Sequence, residues 1–146
     1  MCEVTWGDPC ELDVPALHAK TRELRRGISV LQIAEAGHVA EIVRRGSFRA
    51  DGARDIKAWL RHDPLVSSRD ARVAAQAAEV LRLLPEIAVA VAAGGVPVEN
   101  VALLSPITTS TIYRDPFRLD PDALLAAAGE QRPEEFIHTV ERFLMG

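Results

Sequence analysis

Eight basic side chains fall within residues 44–72: Arg44, Arg45, Arg49, Arg54, Lys57, Arg61, Arg69 and Arg72. Only Asp51, Asp55, Asp63 and Asp70 oppose them, so this window carries +4 in a chain of net charge −4. All but one of the cations are arginine. A guanidinium is a planar fork of donors that matches a phosphate or a guanine edge bidentately. Ser67 joins the set because it precedes a helical stretch, and hydroxyls and amides at helix starts anchor phosphates. The chemistry these residues suit is polyanion contact, with double-stranded DNA as the partner. The alternative is a solvated face whose arginines pair with Asp55, Asp63 and Asp70 on neighbouring turns.

The sequence offers little for catalysis. His18, His38, His62 and His138 are scattered, and no spacing brings one to a nucleophile. There is no glycine-rich phosphate loop, no G-x-S-x-G and no H-E-x-x-H. Cys2 and Cys10, with His18, are too evenly spread for a zinc site and read as reduced cytosolic thiols. No cofactor, no metal and no enzyme activity are expected. The chain is expected to be cytoplasmic. Its longest apolar stretch, Ile87 to Val98, is broken by Gly94, Gly95 and Pro97 and is shorter than the ~18–20 residues of a membrane span.

The elements that must position the basic window read as helices. The 146 residues suit one domain, 48% hydrophobic and 26% charged. Aromatics are only 5%, too few for a base-stacking platform of several rings. Residues 1–13 read as a leader and 14–146 as a single helical domain. Apolar residues recur at three, four or seven from Leu17 to Val43, predicting one long helix from Pro15 to about Arg45, or two joined near Gly27. Arg44, Arg45 and Gly46 are a helix-end signal. A short helix is predicted over 53–61, broken at Asp63-Pro64. Ser67-Ser68-Arg69-Asp70 has the form of a capping box opening a third helix that runs to Pro85. The window is thus helix–turn–helix in outline. Short helices follow over 85–93 and 97–104. Residues 105–116 read as a polar loop. Helices over 121–128 and 133–144 complete an all-α bundle of about six or seven helices. The expected core is Leu24, Leu31, Ile42, Ile56, Trp59, Leu60, Leu81, Leu84, Ile87, Val91, Val101, Leu125, Phe136 and Val140.

Several of these residues also carry a family resemblance. Asp51-Gly52-Ala53-Arg54 with Trp59-Leu60, then Ser67-x-x-x-Ala71, Ala78-x-x-Leu81, Pro85, and Gly95 with Val96, resembles domain of unknown function 222. This actinobacterial group is also called the thirteen-E-twelve repeat family. Asp122-Ala123-Leu124-Leu125-x-x-Ala128 and Pro133-Glu134-Glu135-Phe136 look like its later helices. The resemblance runs from about Leu12 onward. It implies an all-helical module, often placed before an HNH endonuclease domain, and an association with DNA-acting or mobile-element proteins. No catalytic residue carries over. An HNH site needs histidines and an asparagine in a ββα-metal arrangement, and Asn100, the only asparagine, has no histidine beside it.

The reading is therefore a non-catalytic helical DNA-association module. A second reading is a protein-interaction or homo-oligomerisation module. In that case the long N-terminal helix and an uncovered face of Phe136, Val140 and Phe143 would drive association. A third is a remnant of a truncated nuclease-linked gene, since family members continue beyond the point where this chain ends.

Overall fold

The computed structural model describes residues 7–92, 95–109 and 121–145, and among these every regular element is helical. The longest is α1 (Val14–Arg45). Asp13 caps it, its carboxylate accepting the Ala16 N–H at 2.9 Å, and Pro15 sits in the first turn. Gly46 ends it in the left-handed conformation (φ 66°), donating its N–H to the Ile42 and Val43 carbonyls. The helix passes through Gly27 without a break. At 1.5 Å per residue its 32 residues span about 48 Å. Only Ile33, Ala36 and Val39, in its second half, are buried.

A single 3-10 turn, Ser47–Arg49, leads to α2 (Ile56–His62) and then α3 (Ser68–Leu83). After it come α4 (Pro85–Val91), α5 (Val98–Ala102), α6 (Ser105–Thr109), α7 (Pro121–Glu130) and α8 (Pro133–Met145). The architecture is an all-α bundle with α3 at its centre, packed most extensively against α1 and α5.

Two apolar clusters result. The larger joins Ile33 and Ala36 of α1, Ala77, Val80 and Leu81 of α3, and residues of α4 to α8, with Phe136, Leu104, Ile107 and Val91 among the most deeply enclosed. The smaller joins Val39, Leu60, Ala71, Ala74 and Ala78, with Ile56, Trp59 and Val66 packed on it. Alanines on α3 face both clusters. Their small side chains let α1 and α2 approach closely, which no larger residue would permit at native packing density. The smaller cluster is what fixes α2 against the start of α3.

The structure corrects several expectations. Leu31, expected in the core, is 71% exposed. Its stripe at seven-residue spacing is a genuine helical period, but the core-facing stripe of α1 is Ile33, Ala36 and Val39. Leu24, Ile42, Ile56, Trp59 and Leu125 are half-buried. The α2 helix begins at Ile56, because Asp55 caps it by accepting the Ala58 N–H at 2.7 Å. Residues 105–109 are helical where a loop was expected, since Ile107 is drawn into the larger cluster. The rest of that expected loop lies outside the described residues. Phe136 and Val140 are buried, as the expected core has them, and Phe143 is half-buried against the larger cluster, so the uncovered α8 face of the second reading is enclosed by the bundle. Among the described residues no helix is long and apolar enough to cross a membrane.

Candidate nucleic-acid interface

The basic window spans the end of α1, the turn after it, α2 and the first turns of α3. Arg44 and Arg45 lie in the last turn of α1, and both reach back to Glu41. Arg44 donates to its two carboxylate oxygens at 2.7 and 2.9 Å, and Arg45 to one at 2.9 Å. Hydrogen bonds from Arg44, then Arg45, hold the Glu41 carboxyl down to about 2, and the same contact raises Arg44. Arg49 lies over the buried Phe48 ring, its guanidinium carbon 5.3 Å from the centroid.

The loop to α2 is closed by Gly52 (φ 85°), whose N–H donates to Arg49, and by the Ala53 N–H to the Phe48 carbonyl. Asp51 accepts the Trp59 indole N–H at 2.9 Å and so ties this loop to α2. Arg54 meets Asp55 at 3.6 Å, but remains 85% exposed. Arg54 and Arg61 line a cleft of about 450 Å³ together with Asp51, Trp59, His62 and Asp63. Lys57 stands one helical turn before Arg61.

Between α2 and α3 the chain turns through Leu65, which is left-handed (φ 58°) and exposed, and the Val66 N–H donates to the Leu60 carbonyl at 3.0 Å. Ser67 then caps α3, its hydroxyl oxygen accepting the Asp70 N–H at 3.1 Å. That bond uses an acceptor lone pair and leaves the hydroxyl proton to be donated outward. Arg69 pairs with Glu99 of α5 at 3.5 Å, and Arg69, Arg72 and Glu99 border a second cleft of about 300 Å³. Among the described residues Lys57, Arg61 and Arg72 have no ion-pair partner.

The window thus divides. Arg44, Arg45, Arg54 and Arg69 are paired, Arg49 rests on a ring, and among the described residues Lys57, Arg61 and Arg72 are exposed without an ion pair. Two of the pairing acids, Glu41 and Glu99, come from outside the window. Counting them raises its acids from four to six and lowers its local net charge from +4 to +2. Glu41 was legible at three and four residues before its arginines. Glu99 was not, because α5 reaches α3 only through the fold. Among the described residues no three His, Cys, Asp or Glu side chains gather as a metal cluster would require.

No family model, curated protein or solved structure matches this chain.

Proposed function

We propose that this chain is a non-catalytic, DNA-associating helical module related to the N-terminal domains of HNH endonuclease-like proteins. One observation carries the reading. Lys57 and Arg61 of α2 and Arg72 of α3 are exposed and, among the described residues, form no ion pair, on two helices locked together by the smaller apolar cluster. A cation without an intramolecular partner exchanges only water and counterions when it meets a phosphate. Arg54, Arg69 and the Ser67 hydroxyl flank these three and add exposed donors. Arg44 and Arg45 must share their charge with Glu41, so they contribute less.

Fluorescence anisotropy of a labelled duplex, titrated with the chain at several salt concentrations, tests the proposal. Log affinity is expected to fall with log salt at about 0.9 per phosphate neutralised. Arg61→Ala/Arg72→Ala is expected to weaken binding and to flatten that slope by about 1.8. No binding at low salt, or a double variant that binds like the parent, would make these cations a solvated face.

A further inference from the structure

The first half of α1 has an apolar stripe that the bundle does not use. Val14, Leu17, Thr21, Leu24, Ile28 and Leu31 follow one another at three, four, three, four and three residues. This is the a/d repeat of a two-stranded coiled coil, with Val14, Thr21 and Ile28 at a and Leu17, Leu24 and Leu31 at d. None of the six is buried. Val14 is 62%, Ile28 41% and Leu31 71% exposed, and Leu17 and Leu24 are half-covered. The one polar member satisfies itself, since the Thr21 hydroxyl donates to the Leu17 carbonyl at 2.8 Å and leaves its methyl for packing. The first buried residue of α1 is Ile33, on a different side of the helix.

We infer that this stripe pairs with the same stripe of a second copy, as a short antiparallel coiled coil. Self-pairing in that direction satisfies every layer. Val14 meets Leu31 of the second copy, Leu17 meets Ile28, and Thr21 meets Leu24, and the two-fold axis repeats the three layers. Each a residue faces a d residue. Charge selects the direction. A parallel pair sets Lys20 of each copy against Arg25 of the other on both flanks, like against like. The antiparallel pair sets Lys20 against Gly27, which offers open space, and Arg25 against His18. It also carries the two bundles to opposite ends of the coil. The contact strip is about 27 Å long and about 10 Å wide. So short a strip is small for a specific interface, so the dimer is weak and concentration-dependent. This inference is independent of DNA binding.

Sedimentation equilibrium of the full chain is the first test. A reversible monomer–dimer equilibrium is expected, and Ile28→Glu/Leu31→Glu is expected to raise its dissociation constant more than about tenfold. Both positions are exposed, so the circular dichroism and melting curve of that variant should match the parent. A strict monomer at the highest soluble concentration overturns the inference, as does a dimer that survives the double substitution. Direction is read by cross-linking in a Cys2→Ser/Cys10→Ser background. A mixture of Thr21→Cys and Leu24→Cys chains is expected to form disulfide-linked dimers, and neither alone. Cross-linking by Thr21→Cys alone would instead establish the parallel arrangement and overturn the antiparallel one.

Discussion

Asn100 is fully buried, and its side-chain amide donates to the carbonyls of Ala128 at 2.9 Å and Gln131 at 2.8 Å. It therefore closes the C-terminal end of α7 from across the bundle, where the last carbonyls of a helix lack partners. Its side-chain oxygen is buried with no hydrogen-bond partner among the described residues. The sequence singles out Asn100 only as the chain's one asparagine, and nothing nearby signals a cap 28 residues away. Asn100→Ala is expected to cost about 2–3 kcal/mol, because two buried acceptors lose their donor. Asn100→Asp is expected to cost more, since it aims a carboxylate at two carbonyl oxygens. Urea denaturation of the two variants decides the point, and an aspartate variant as stable as the alanine one would mean that the amide does not point this way.

At the scale of elements, the joint between α2 and α3 carries the chain's only left-handed non-glycine residue among those described, Leu65. A β-carbon in that conformation costs about 1–2 kcal/mol. The joint accepts the cost because Val66 packs on the smaller cluster while Leu65 is 81% exposed at the turn. Leu65→Gly is expected to raise stability by about 0.5–1 kcal/mol, the relief of strain being partly offset by greater freedom in the unfolded chain. Thermal melts of the two chains should show the variant unfolding at the higher temperature. A lower melting temperature would mean that the exposed leucine makes a contact that matters. The same joint orients Arg61 on one side and Arg69 and Arg72 on the other, so its geometry and the proposed contact surface are one feature.

For the whole molecule the distribution of charge matters more than its sum. A net charge of −4 coexists with a face of exposed arginines, and the acids that temper this face sit at its margins. Glu41 is the clearest case. Its carboxyl is lowered from 4.5 to about 2 by two guanidiniums. A depressed carboxylate contributes stability above its unfolded value, and that contribution is lost as pH falls from about 4.5 through about 2. An NMR titration of the Glu41 carboxyl should therefore find a midpoint near 2. Glu41→Gln should be slightly less stable than the parent at neutral pH and indistinguishable from it once both are acidified below that midpoint. It also releases Arg44 and Arg45. If they lie on the DNA-facing side, the variant binds duplex more tightly and with a steeper salt slope. An ordinary midpoint for Glu41 would remove the premise.

Helix existence was written locally. Asp13, Pro15 and Gly46 bound α1, Ser67 opens α3 and Pro85 closes it, because capping and left-handed termination act between residues a few positions apart. The eight cations were equally legible from composition, as was the helical spacing of Lys57 and Arg61 on α2 and of Arg69 and Arg72 on α3. What the sequence alone could not rank was which of two valid stripes on α1 faces the core. Leu24 and Leu31 and the Ile33, Ala36 and Val39 set are both good periods, and only the alanine face of α3 chose between them. Phe136 and Val140 were legible as core from their helical period, but the sequence could not foresee that Glu99 would reach Arg69 or that Asn100 would finish a distant helix. Each of those depends on surfaces brought together by burial across long separations, and burial is decided by the packing of the whole chain.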